Sequence, residues 1–274
     1  MKMSIRTHNQ LMDLSLPRVM AIINFSPDSF YTSCDTDSEL SILEYADRAL
    51  REGADILDLG ACSTRPHSTP VSSAVEWQLL SKGLEIIRHH WHDIPISVDT
   101  FRPEIALQAI SHGADIINDV SGGTANSKMW KIVAQQHVPY ILTHAQTIKD
   151  DFVNPNPTTT QILDFLQEQL DYLHQLGVAD VIIDPGFGFG KTIEQNYQIL
   201  NQLNILETLN TPILVGISRK SMLYQPLNTT PQNVLAATIA ANTLALERGA
   251  HILRVHDTAA AKQAIQTFLL THNS

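Results

Sequence analysis

Val181-Ile182-Ile183-Asp184-Pro185-Gly186-Phe187-Gly188-Phe189-Gly190-Lys191 decides how the fold is read. Three consecutive branched apolar residues read as a strand buried on both faces, and such strands belong to parallel sheets covered by helices. The strand stops at a carboxylate, and the glycines after it let the backbone turn tightly and approach a ligand closely. The same pattern recurs along the chain, where short apolar runs also stop at Asn24, Asp58, Asp99, Asn118, His144, Ser218 and His256. Eight such runs, separated by helical stretches, predict the fold class: an α/β protein, a single-domain (β/α)8 TIM barrel. In that architecture the C-terminal ends of all strands converge on one face and build the site.

Working outward, strands are expected near 18–23, 56–59, 96–98, 115–117, 140–142, 181–183, 213–215 and 252–255. Helices are expected over 39–51, 74–90, 162–176 and 232–247, with another opening at Pro103, a favoured first helical residue. Residues 1–16 read as a short, polar, irregular lead-in and 17–274 as the barrel. The longest loops follow the first, second and fifth strands, and long loops on a rigid scaffold commonly act as lids.

Composition sets limits. The chain has 274 residues, enough for one barrel of about 250 residues. Its net charge of -10 argues against a nucleic-acid surface, whose mark is a basic stripe. Two cysteines, Cys34 and Cys62, make no disulfide framework, so a reducing cytoplasm is expected. No apolar run approaches the ~20 residues of a membrane span, and no signal peptide opens the chain.

Several strand ends carry chemistry. Asp184 can accept two hydrogen bonds from a planar amino-heterocycle; a glycine-rich turn with a structural Asp is the plain alternative. Gly216-Ile217-Ser218-Arg219-Lys220-Ser221 follows the seventh strand, where these barrels place anion sites. Lys220 offers a point charge to an electron-rich ring, while Ser218 or Ser221 could simply cap a helix, Arg219 could be a surface charge, and Lys191 could be a solvated helix start. In Ser63-Thr64-Arg65-Pro66 the Arg fork suits phosphate. Arg254 and His256 lie two apart on a strand and so face the same way, into the barrel. There an anionic ligand would answer the Arg charge, or an internal ion pair to Asp99 or Asp257 would. Asp99 and Asn118 complete a donor and acceptor set that could read a purine-like or pterin-like edge. His144 reads equally as a supporting or a structural residue.

Taken in order, these motifs resemble those of the dihydropteroate synthases of folate biosynthesis, within the pterin-binding enzyme family. The markers are Ile23-Asn24-Phe25-Ser26-Pro27-Asp28, Asp58-Leu59-Gly60, Ser63-Thr64-Arg65-Pro66, Ser97-Val98-Asp99-Thr100, Ile117-Asn118-Asp119-Val120, the Asp184 glycine run, Ser218-Arg219-Lys220 and Arg254-Val255-His256-Asp257. The resemblance implies condensation of 6-hydroxymethyl-7,8-dihydropterin pyrophosphate with 4-aminobenzoate, giving 7,8-dihydropteroate and pyrophosphate, with Mg2+ as cofactor and a homodimeric assembly. By the same resemblance Asp99, Asn118, Asp184 and Lys220 would hold the pterin and Asn24 would contact Mg2+. Thr64, Arg65, Arg254 and His256 would bind the pyrophosphate. Pro66, Phe189 and Ser221 would frame the aminobenzoate, beside Gly216.

The chain also departs from the family. The first loop reads Phe30-Tyr31-Thr32-Ser33-Cys34 where Phe-Ser-Asp-Gly-Gly is usual, leaving the lid carboxylate displaced, with Asp35 a candidate. Ala61, Cys62 and His67 replace familiar residues of the second loop, and Thr143-His144-Ala145 stands for Met-His-Met. Two other readings therefore stay open: a pterin-binding paralogue without turnover, and a methyltransferase moving a methyl group from methyltetrahydrofolate to a corrinoid. A Schiff-base aldolase using Lys220 is a third.

Overall fold

The computed structural model describes residues 3–7, 10–25, 38–61, 71–123, 128–145 and 157–272. Thr32, Cys34, Asp35, Cys62, Thr64, Arg65, Pro66 and His67, and with them most of the first two expected lids, lie outside the described residues.

The described residues form ten strands and nine α-helices. An antiparallel hairpin, β1 (Ser4–Thr7) and β2 (Gln10–Asp13), comes first. The alternating units follow: β3 (Arg18–Asn24), α1 (Glu39–Arg51), β4 (Ile56–Gly60), α2 (Ser73–His90), β5 (Ile96–Asp99), α3 (Pro103–Ser111), β6 (Ile116–Asp119), α4 (Lys128–Gln136), β7 (Tyr140–Thr143), α5 (Thr159–Gln175), β8 (Val181–Asp184), α6 (Ile193–Asn201), β9 (Leu214–Val215), α7 (Ser221–Tyr224), α8 (Leu235–Leu246), β10 (Ile252–Val255) and α9 (Thr258–His272). The last eight strands form one parallel sheet in the order β8-β7-β6-β5-β4-β3-β10-β9, and a parallel bridge between Ile183 and Ile213 closes it into a barrel. The TIM barrel expected from the sequence is the observed fold.

Residues 1–16 are not an irregular lead-in. Ile5 and Leu14 are 1% exposed and pack into a cluster with Met20, Ile56, Ile116, Ile141, Ile182, Leu214 and Ile252. Those seven residues point inward from seven strands, so the hairpin plugs the N-terminal end of the barrel and covers its base layer. The alternation Ile5 in, Arg6 out is the period of a strand with one covered face; it was hidden by the shortness of the segment. A second, larger cluster lies between the strands' outer faces and the helices. Among the described residues no helix is long and apolar enough to cross a membrane.

Two helix boundaries differ from expectation for local reasons. α5 starts at Thr159 because Thr158 and Gln161 make a reciprocal capping box. The helix expected over 232–247 is broken at its start, where a 3-10 turn (Pro231–Asn233) precedes α8. Arg219 donates to the carbonyls of Pro231 and Gln232 at 2.6 and 2.9 Å and so holds this turn against the barrel-mouth segment.

Candidate functional site

The base layer predicts the layer above it. Two residues along each strand from an inward apolar residue lies another inward residue, and there the chemistry changes. Ile56 is followed by Asp58, Ile116 by Asn118, Ile141 by Thr143, Ile182 by Asp184, Leu214 by Gly216 and Ile252 by Arg254. The sheet register sets these groups side by side: Asp58 opposite Ser97, Gly60 opposite Asp99, Asp99 opposite Asn118 and Thr143 opposite Asp184. The result is a polar ring at the C-terminal mouth.

Arg254 bridges the ring. Its Nε donates to Asp58 at 2.7 Å and its Nη2 to Asp99 at 2.7 Å. The internal ion pair is therefore made, with Asp99 as one partner and Asp58, expected as a strand-end polar residue but not as a partner of Arg254, as a second. Asp257, the other candidate, is engaged elsewhere. Burial works against the Arg254 charge, but Asp58 and Asp99 more than offset it and hold its pKa above the ordinary value. Burial pushes Asp99 up to about 7, with Arg254 opposing and Asp58 assisting. Asn118 donates to the Asp58 carboxylate at 3.3 Å, which fixes the amide's orientation. The side-chain hydroxyls of Ser97 and Thr143, both fully buried, have no hydrogen-bond partner among the described residues.

On the other side of the mouth, Asp184 accepts from the Gly186 N–H at 2.7 Å. Burial raises its pKa, with Lys220 opposing. Lys220 donates to the Phe187 carbonyl at 2.5 Å, and its Nζ stands 4.5 Å from the centre of the Phe189 ring. Burial lowers Lys220 to about 8, with Asp184 opposing. A Cβ added at Gly216 would sit 3.9 Å from both Arg254 and the Lys220 Nζ, placing Gly216 against the same cavity wall.

The glycine run is used where its backbone demands it. Gly186 has φ 71°, and a Cβ there would collide with the His144 carbonyl. That close approach leaves room for Lys191, which is no solvated helix start. Its ammonium donates to the carbonyls of Gly186 at 2.7 Å, His144 at 2.9 Å and Phe189 at 3.2 Å. Burial lowers its pKa to about 7, with Asp184 opposing. His144 is buried and edge-on to Phe165; burial, with Lys191 nearby, takes its pKa down to about 3, so it is neutral.

The Ser218-Arg219-Lys220-Ser221 segment divides by role. Arg219 is not a surface charge. It is 7% exposed, adopts φ 56°, and makes two 2.7 Å bonds to Asp257. A left-handed non-glycine residue costs on the order of 1 kcal/mol or more, so these bonds hold a strained turn that aims Lys220 inward. Neither Ser218 nor Ser221 caps a helix: the cap position of the single-turn α7 is Lys220, with no side-chain cap bond. Ser218 Oγ instead lies 3.1 Å from His256 Nδ1 and accepts the His256 N–H at 3.2 Å. Burial, then Arg254, lowers His256 to about 3. It is a neutral hydrogen-bonding group and adds no positive charge to the mouth.

Asp99, Asn118, Asp184, Lys220, Arg254 and Gly216 thus gather as expected, with Phe189 against Lys220 and His256 against Ser218, while Ser221 opens α7 directly after Lys220. Asn24 ends β3, half-buried and in register with Gly60. Thr64, Arg65 and Pro66 cannot be placed because they lie outside the described residues. Sequence reasoning named Asp58 among the strand-end polar residues but gave it no role, and it missed Lys191 and the Arg219–Asp257 pair. Lys191 and Arg219 had no signal, because their partners are backbone carbonyls and a residue 38 positions away.

Similarity to known proteins follows the same residues. The family model for pterin binding enzymes matches residues 20–256. Dihydropteroate synthase of Escherichia coli strain K12 is 35% identical, covering 93% of this chain and 92% of its own. That of Synechocystis is 38% identical, covering 89% and 86%. Among solved structures, the Xanthomonas albilineans dihydropteroate synthase with 4-aminobenzoic acid superposes with a TM-score of 0.90 at 33% identity, covering 100% of both chains. The Coxiella burnetii enzyme in complex with pteroic acid gives 0.87 at 35% identity, covering 98% of both.

Proposed function

The chain belongs to the pterin-binding enzyme family, and from that premise we propose how its barrel mouth carries out the dihydropteroate synthase reaction. The protein is a transferase of folate biosynthesis. It condenses 6-hydroxymethyl-7,8-dihydropterin pyrophosphate with 4-aminobenzoate, releasing pyrophosphate and giving 7,8-dihydropteroate. The observation that carries the mechanism is the placement of Asp99, Asn118, Asp184, Lys220 and Arg254 around one cavity, with their charges balanced against one another.

Asp184 and Asn118 take the amino-heterocyclic edge of the pterin, and Lys220 lies against its electron-rich face. The C–O bond to the pyrophosphate breaks first, and the electron pair leaves with the pyrophosphate. The remaining methylene cation is delocalised into the dihydropterin ring, beside Asp99 and Asp184. The amine of 4-aminobenzoate then forms the new C–N bond and loses its proton to solvent or to the departing pyrophosphate. Its lone pair is already available at neutral pH, so no strong base is required. Arg254, held by Asp58 and Asp99, closes the cavity and excludes water that would capture the cation. Neutral His256 offers the leaving group a hydrogen bond rather than a charge.

The donor set at β3 suits Mg2+ brought in by the substrate. Asn24 offers a hard amide oxygen, and among the described residues no group of three or more His, Cys, Asp or Glu is placed to hold a metal, so most ligands would come from pyrophosphate and water, the usual habit of this ion. Bound there, Mg2+ supplies neutralisation of the leaving group's charge.

A homodimer is supported by α8, whose solvent-facing stripe of Ala236, Ala240 and Leu244 is uncharged, with Leu244 45% exposed.

Release of pyrophosphate from the pterin pyrophosphate, measured with and without 4-aminobenzoate, tests the reading. Turnover that requires 4-aminobenzoate supports it. Pterin binding without any release would instead mark a non-catalytic paralogue. Trapping a covalent adduct on Lys220 would overturn the dissociative step.

A further inference from the structure

We propose that Lys191 is a positioning residue for the aminobenzoate side of the site, acting through Phe189; the inference rests on the function proposed above. An ammonium group has three N–H donors. In Lys191 all three are matched, to the carbonyls of Gly186, His144 and Phe189 at 2.7, 2.9 and 3.2 Å. Two of these acceptors belong to the glycine run and the third to the end of β7, so one side chain ties the run back to the barrel wall.

The run needs such a tie. Gly186, Gly188 and Gly190 have φ of 71°, 80° and 66°, a backbone path with little intrinsic preference to stay put. Three further tethers hold it, Gly186 N–H to Asp184 Oδ1 and Gly188 N–H to Asn196 Oδ1, both at 2.7 Å, and Lys220 Nζ to the Phe187 carbonyl at 2.5 Å, but none of them takes a group of Phe189, whose carbonyl bonds to Lys191. Phe189 sits between these tethers, half-buried at the rim, its ring 4.5 Å from the Lys220 Nζ. Its position therefore depends on Lys191. Asp99, Asn118 and Asp184 do not share that dependence, because they are residues of the strands themselves, and Lys220 is aimed inward by the turn that the Arg219–Asp257 pair holds.

The two halves of the site should separate under mutation. Lys191→Met is expected to raise the KM for 4-aminobenzoate about tenfold, as loss of charge-assisted bonds does, while the Kd for the pterin pyrophosphate, measured by calorimetry, changes less than about twofold. Lys191→Arg, which keeps charge and donors, should recover part of the loss. In a Phe189→Ala background Lys191→Met should add no further KM effect. If Lys191→Met does not fold, Lys191→Gln replaces it with the same expectation at smaller size. Equal weakening of both substrates, or lowered Tm with both constants unchanged, overturns the proposal. Wild-type protein that releases no pyrophosphate fails the functional reading instead; active wild type without the split fails only the role of Lys191.

Discussion

Two layers of the same barrel, built on the same strands two residues apart, behave in opposite ways. The base layer of Met20, Ile56, Ile116, Ile141, Ile182, Leu214 and Ile252 is fully buried and apolar, covered from below by Ile5 and Leu14. The layer above it holds Asp58, Ser97, Asn118, Thr143, Asp184 and Arg254, groups that are expensive to bury. The base layer contributes stability by removing area from water. The upper layer limits its own cost by pairing charges internally, and leaves capacity for a ligand in the hydroxyls of Ser97 and Thr143 and in the Asp184 carboxylate, whose pKa burial raises. One layer makes the fold, and the fold lets the other exist.

The sharpest way to break this contrast is Asp58→Ala. It leaves Arg254 with a single carboxylate and strips an acceptor from Asn118, so unfolding stability should fall by about 3–5 kcal/mol and pterin affinity with it. Equal stability of variant and wild type in urea would show that Asp58 is dispensable to the ring. Next in size is Ile182→Ala in the base layer, expected to cost about 2–5 kcal/mol while kcat/KM at 25 °C stays within about twofold; a large kinetic loss in the folded variant would show that the layers are coupled. Asp184→Asn should do the reverse, weakening pterin binding by about 10- to 100-fold through the loss of a charged acceptor with little change in Tm.

The smallest effect concerns pH. Asp99 is raised from 3.8 to about 7, so its contribution to stability is fully present below about 4 and is lost as pH rises through about 7. Ligand binding should run the other way, since a pterin N–H donor prefers the ionised carboxylate. Titration calorimetry from pH 6 to 8 is expected to show rising pterin affinity, and Asp99→Asn to flatten the slope. An unchanged slope in the variant would assign the titration to another group.

The barrel and its mouth were legible in the primary structure because both rest on short-range rules. Eight apolar runs each ending at a polar residue need only the period of a strand and the direction of the chain to place Asp99, Asn118, Asp184, Lys220 and Arg254 at one end. The N-terminal hairpin was not legible, since four-residue strands with one covered face carry too little pattern to distinguish from a loop.

What the residues determined by themselves, then, was which side chains face inward and at which end. Only the tertiary structure decided which of them satisfy one another. Arg254 chose Asp58 and Asp99 over Asp257, Asp257 went to Arg219, and Lys191 found three backbone carbonyls. Partner choice among buried charges depends on distances across the barrel, between residues as much as 196 positions apart, and electrostatic energy falls too steeply with distance for spacing along the chain to stand in for it.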